Sequence, residues 1–462
     1  MERRNAWEFY EEEQLQALEG VAKRYRGFLN AGKTERECVR EAVKLAEAKG
    51  FKDMKAVSSA KEGDRLYLNW MGKALMLFIV GSAPISEGMN IVGAHIDSPR
   101  MDVKQNPLYE DNGIAYLDTH YYGGIKKYQW VTLPLALHGV VAKTDGTVVD
   151  IVIGEDEDDP VVGVSDLLIH LAQEQMDKKA RVVIDGDQLN VIVGGRPFAP
   201  VDEDDDVPKK QAVKQGVMRI LEEKYDIEEE DFLSAEIEVV PAGKARDFGL
   251  DRSMIIGYGH DDRVCAYAQL EALSGIEGVP ERTVACLLSD KEEIGSVGAT
   301  GMQARYFENT VAELMALTGE YSELRLRRAL AACRMLSCDV SAGFDPNFAS
   351  VFEKKNAAFL GRGVCFNKFT GSRGKSGSND ANAEFIARLR RVMDDNDISF
   401  QTAELGKVDV GGGGTIAYIC ALYGMEVIDS GVPVLSMHAP WEIINKADLY
   451  EAVQAYKAFM LN

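Results

Sequence analysis

The sequence predicts an α/β protein with a mixed sheet, interrupted by a smaller β-rich insertion. Three observations carry this. The 462 residues exceed what one compact core usually supports, so two domains are expected. Between about residue 106 and residue 244 the chain breaks into short β-rich runs separated by acidic or Gly/Pro turns, the texture of a small mostly-β domain. On either side of that stretch helical and strand patterns alternate. The expected division is therefore 1–105 with 245–462 as one discontinuous domain and 106–244 as the insertion.

Residues 6–50 read as helical. Thr34 and Glu37 have the T-x-x-E spacing of a capping box, Val39, Val43 and Ala46 keep one face apolar, and Gly50 closes the run. "RLYLNW" and "ALMLFIVG", separated by Met71-Gly72-Lys73, predict a hairpin. "MNIVGAHIDSPRMD" follows as a short apolar strand ending in His95 and Asp97. Within the insertion, "WVTLPLALHGVVA", "TVVDIVIG", "ARVVIDGDQLNVIVGG" and "AEIEVVPAG" supply strands, with one helix expected from Ser165 to Met176. Beyond it, helices at 263–274, 320–332, 378–396 and 447–460 alternate with strands at 283–288, 335–339, 425–428 and 432–437.

Composition narrows the function. Apolar content of 46% with 27% charged residues is that of an ordinary globular protein. A net charge of −22 argues against nucleic acid or an anionic membrane as the main partner. Much of the excess is local, in "GEDEDD" at 154–159, "DEDDD" at 202–206 and "EEED" at 228–231. Seven scattered cysteines, mostly inside apolar runs, read as reduced core thiols. "MERRNAWEFYEEEQ" lacks the apolar core of a signal peptide, and no stretch approaches the roughly 20 apolar residues that span a bilayer. A soluble, cytoplasmic protein is expected.

Polar residues recur where apolar runs end. "VGAHID" gives His95 and Asp97, "ACLLSDKEE" gives Glu292 and Glu293, "MLSCD" gives Asp339 and "VPVLSMH" gives His438; "GYGHDD" adds Asp261 and Asp262 ahead of a helix. In open α/β sheets the C-terminal strand edge is where ligands bind. Two imidazoles and several carboxylates, without cysteine, suit Zn²⁺, Co²⁺ or Mn²⁺, and outnumber what one tetrahedral ion uses. Two ions sharing a bridging carboxylate would use them, leaving one glutamate of the adjacent pair free as a general base. Taken singly, each residue has a plainer reading: the aspartates as helix caps, the glutamates as a solvated turn, either histidine as structural. Rival motifs fail. "GSRGKSGS" needs glycine at 369 to be a phosphate loop and has Phe369, and the acidic runs lack calcium-loop spacing.

"GAHIDSPRMDVK", "HDDRVCAYAQLEAL", "SDKEEIGSVGATG", "SCDVSAGFDPNF", "GGGGTIA" and "LSMHAPWE" resemble, in order, the motifs of the aspartyl aminopeptidase / aminopeptidase I family of dinuclear metallopeptidases. The resemblance runs from about residue 90 to the C-terminus. It implies a mixed-sheet three-layer metallopeptidase domain interrupted by a dimerisation domain. Two divalent ions per subunit are implied, zinc foremost, sharing Asp261; one takes His95 and Asp339, the other Glu293 and His438. Glu292 is then the general base, and Asp97 hydrogen-bonds the His95 imidazole. The implied reaction removes single N-terminal residues from peptides with a free N-terminus, by attack of a metal-bridging hydroxide. Gly413 is implied in substrate binding, and His170 is the best match to a histidine that reaches a neighbouring subunit in a homo-oligomer, a dodecamer built from dimers. A basic residue reads acidic side chains in the aspartyl-specific branch. Lys368, Arg373 and Lys375 are candidates, in a segment that departs from that branch, so Asp/Glu and neutral preferences both stand. Two other functions compete: a metallo-deacylase or carboxypeptidase acting on N-acylated substrates, and a non-catalytic scaffold retaining the fold.

Overall fold

The computed structural model describes residues 4–198 and 211–462, so the acidic run at 202–206 lies outside the described residues. These fall into two compact units. The first takes the chain up to Ser98, then Ala245–Met437 and Glu442–Asn462; the second takes Pro99–Lys244 with the short segment His438–Trp441. The second unit starts at Pro99 rather than at 106 because strand Arg100–Asp111 runs unbroken and pairs with Ile114–Tyr122.

Among the described residues, the larger sheet of the first unit has nine strands. Its centre is four parallel neighbours in the order Val284–Ser289, Asn90–His95, Arg334–Cys338 and Glu426–Gly431. Antiparallel strands Ala74–Ile79 and Val364–Asn367 flank them, which makes the sheet mixed as expected. The period-two geometry of a strand splits its side chains between two cores. Leu75, Leu77 and Ile79 join one cluster, while Ala74, Met76 and Phe78 join the other. Helices Glu12–Ala31, His260–Ser274, Ala383–Asp395 and Lys446–Leu461 cover the first face; Tyr306–Leu317, Glu323–Ala331 and Ala417–Ala421 cover the second. The result is three layers, helix on sheet on helix.

Local chemistry sets the early elements. Helix Glu35–Ala48 starts at the Thr34–Glu37 box, with Glu37 N donating to Thr34 Oγ1 at 3.2 Å and Thr34 N donating back to Glu37 Oε2 at 3.0 Å. Strands Arg65–Trp70 and Ala74–Ile79 form the hairpin, turned by Met71 and Gly72 at φ of 56° and 71°, the left-handed pair whose twist matches the flanking strands.

The second unit is a six-stranded antiparallel sheet, by the described residues, with helix Ala212–Tyr225 beside it. The helix expected from Ser165 to Met176 does not form. A single turn at Ile169–Leu171 and a four-residue helix at Gln173–Met176 stand there instead. Leu167, Leu168, Ile169 and Leu171 are all exposed, so no apolar face is buried to offset the cost of helix nucleation. Among the described residues no helix is long and apolar enough to cross a membrane.

Candidate metal centre

The parallel strands bring their C-terminal ends together. Ser289 is registered opposite His95, and Ile96 N donates to Ser289 O at 2.9 Å, which places the segment carrying Glu292 and Glu293 beside His95. Asp339 follows strand Arg334–Cys338, its backbone N donating to Ser430 O at 2.9 Å. Asp261 and Asp262 stand at the head of helix His260–Ser274 with non-helical backbone, φ/ψ of −78°/109° and −112°/29°, so a kink precedes the regular helix and sets where the Asp261 carboxylate lies. The Asp261 backbone is held on two sides: Asp261 N donates to Glu442 Oε2 at 3.0 Å, and Ser98 Oγ donates to Asp261 O at 2.7 Å.

These placements converge. His95 Nε2 lies 3.1 Å from Asp261 Oδ1 and 4.0 Å from Asp339 Oδ1. Donor atoms of His95, Asp261 and Asp339 lie within 4.8 Å of one another, and so do those of His95, Glu292 and Glu293. Such separations are what donors about 2 Å from a common ion give. His95 Nδ1 is 2.9 Å from Asp97 O and 3.3 Å from Asp97 Oδ1, so the backbone carbonyl is the nearer acceptor. With Nδ1 held by that carbonyl, Nε2 is the nitrogen that would meet an ion, in place of the proton it shares with Asp261 Oδ1 when no ion is bound.

The electrostatics point the same way. Burial pushes the Asp339 carboxyl well above the ordinary carboxylate range, with Asp261 and Glu292 adding to it. Burial opposes protonation of His95, but contacts with Asp261 and Asp97 outweigh it and raise its pKa. Carboxylates crowded in a buried place are relieved by a cation. The donors are nitrogen and oxygen only. The neighbouring thiols of Cys265 and Cys338 are pushed well up by burial and stay protonated, which suits them to the core rather than to ligation. The residues present therefore fit a divalent ion of the zinc type.

His438 belongs to the short segment of the second unit, with Nδ1 2.9 Å from Gly124 O, the same carbonyl-held tautomer as His95. His170 is exposed in the second unit. Gly413 N donates to Thr370 O at 2.9 Å, and a Cβ there would meet open space. The glycine requirement lies instead at Gly411 and Gly412, where a Cβ would fall 1.7 Å from Leu405 O and 2.5 Å from Ser372 Cα. Lys368 and Lys375 both pair with Asp380, the latter at 2.9 Å, while Arg373 is exposed at a φ of 49°. Sequence reasoning missed Ser98 and Glu442, which hold Asp261. Glu442 closes "LSMHAPWE", and its burial behind Asp261 has no local signature.

Known proteins resemble this chain along nearly its whole length. The family model described as aminopeptidase I zinc metalloprotease (M18) matches residues 28–460. A Clostridium acetobutylicum protein named "Probable M18 family aminopeptidase 1" is 57% identical, with 100% of this chain and 98% of that protein covered. The crystal structure of an M18 aminopeptidase from Thermotoga maritima superposes with a TM-score of 0.94 at 44% identity, covering 100% of this chain and 99% of the other. At 19% identity the S. cerevisiae mApe1 dodecamer structure shares the fold, with a TM-score of 0.75 over 95% of this chain and 96% of that one. The chain belongs to the M18 family of zinc metalloproteases and is a metallo-aminopeptidase, a hydrolase of the exopeptidase class.

Proposed function

We propose that the chain removes single residues from peptides with a free N-terminus, using two divalent ions, zinc foremost. The observation that carries this is the convergence of His95, Asp261, Asp339 and the Glu292–Glu293 pair at the C-terminal edge of the parallel strands. His95 and Asp339 would hold one ion and Glu293 and His438 the other, with Asp261 shared. When bound, the ions polarise the scissile carbonyl and acidify water enough for it to ionise near neutral pH. Glu292 then takes the proton of the attacking water on its carboxylate and returns it to the departing amine. The place of the second ion, with the carboxylates around it, would also receive the substrate's free α-amino group, which limits cleavage to the first residue. The backbone of the glycine loop, with open space at Gly413, leaves room for the peptide to approach.

The preferred first residue is neutral in this reading. Two of the three basic candidates for reading an acidic side chain, Lys368 and Lys375, are already paired with Asp380. The enzyme works as a homo-oligomer joined through the second unit, a reading supported by the exposed Leu167–Leu171 segment and by the dodecameric yeast structure. A cytoplasmic location is supported by seven cysteines that are all buried and unbridged.

The test strips the protein with chelator, adds back Zn²⁺, Co²⁺ or Mn²⁺ singly, and follows amino-acid release from X-Ala-Ala and N-acetyl-X-Ala-Ala. Metal-dependent cleavage confined to the free-amine series, fastest with neutral X, is expected. Faster release of Asp or Glu would overturn the neutral preference, and cleavage of the acetylated series would overturn the requirement for a free amine.

A further inference from the structure

We propose that the Asp97 carboxylate positions the turn carrying Glu292 and Glu293, and so sets the base and its neighbouring ligand together. The inference rests on the reading of Glu292 as the base. Glu292–Ile294 is a single 3₁₀ turn entered through Lys291, whose φ of 67° is left-handed and whose side chain does not cap it. The first amides of such a turn have no acceptor within it.

Asp97 supplies the acceptors from the loop that follows strand Asn90–His95. Glu292 N donates to Asp97 Oδ1 at 3.1 Å, and Glu293 N donates to Asp97 Oδ2 at 3.2 Å. One carboxylate, fully buried, thus caps both glutamates across 195 positions of sequence. The register of Ser289 against His95 makes this reach possible.

The segment is also tied by Ile294 N donating to Lys291 O at 3.3 Å, Gly295 N to Glu292 O at 2.8 Å, Ser296 N to Lys291 O at 2.6 Å, Gln303 Nε2 to Gly295 O at 2.9 Å and Lys291 Nζ to Asp290 Oδ2 at 3.0 Å. None of these engages the amides of Glu292 and Glu293, which donate to Asp97. Meanwhile His95 Nδ1 stands nearer the Asp97 carbonyl, which a side-chain substitution leaves in place. The positioning effect of the carboxylate thus falls first on the glutamate turn and only then on the imidazole.

The experiment uses Asp97→Asn, which keeps the volume and one acceptor oxygen but turns an NH₂ toward the second amide, with Asp97→Ala beside it. On metal-free protein, hydrogen exchange at the Glu292 and Glu293 amides should be at least about tenfold faster in either variant, with strand Val284–Ser289 unchanged. On the zinc-loaded enzyme, kcat should fall about 10–100-fold while KM stays within about twofold and zinc content is retained. Unchanged exchange at the two amides together with lost zinc would overturn the proposal, leaving Asp97 as a support for His95 alone. Should the alanine variant fail to fold, the asparagine variant still decides. Failure of the base reading is separable, because the exchange measurement does not depend on Glu292 acting as a base.

Discussion

Glu292 and Glu293 are adjacent like charges on a half-buried turn, an arrangement that repels itself unless something positive or a set of donors compensates. Their backbone amides lie against Asp97 and their side chains beside His95. Replacing Glu292 by glutamine preserves shape and removes only the basic oxygen. Glu292→Gln should lower kcat by about 10²–10⁴-fold with bound zinc unchanged by elemental analysis, and undiminished turnover would remove Glu292 from the base role. At this scale the donors were legible, because histidine and carboxylate at the ends of apolar runs is a visible pattern. Their supports were not. Glu442, Ser98 and the amide contacts of Asp97 act between residues 163 to 196 positions apart, beyond any local spacing rule.

Among the elements, a local start signal made one helix readable at its exact boundary, and two helices without such a signal went unread. Helix Glu35–Ala48 announces itself through Thr34 and Glu37. Thr34→Ala should cost about 1 kcal/mol of stability, read as a lower midpoint in urea unfolding, and no change would mean that Lys33 N to Glu37 Oε2 alone holds the helix end. Helix Ala212–Tyr225, by contrast, begins at Gln211 with no side-chain cap. Its first amides at Val213 and Lys214 donate to Glu110 Oε2 at 2.8 and 3.0 Å, from a strand far earlier in the chain. Helix Tyr306–Leu317 likewise starts at Arg305 without a side-chain cap, and the sequence reading assigned nothing there. The expected helix at Ser165–Met176 failed for the opposite reason. Its local pattern was plausible, but among the described residues no surface buries Leu167, Leu168, Ile169 or Leu171.

For the whole molecule, the exposed run Leu167–Leu171 is the surface through which the proposed oligomer would form. Ile169 and Leu171 are 67% and 68% exposed in a protein whose charge otherwise favours solubility. Ile169→Asp combined with Leu171→Asp should shift the mass measured by light scattering to a smaller species, and an unchanged mass would place the interface elsewhere. The discontinuous layout also governs the order of events during synthesis. Strand Asn90–His95 emerges early, yet its parallel neighbours at Val284–Ser289 and Arg334–Cys338 arrive only after the whole insertion has been made. Closing so long a loop costs entropy, and non-local parallel pairing is slow. An insertion that folds first turns that flexible loop into a compact knot of structure and shortens the effective search. With the proposed ligands, ion capture would be a late event in the life of each chain, since a nascent polypeptide halted before residue 339 holds His95 and Asp261 but lacks Asp339.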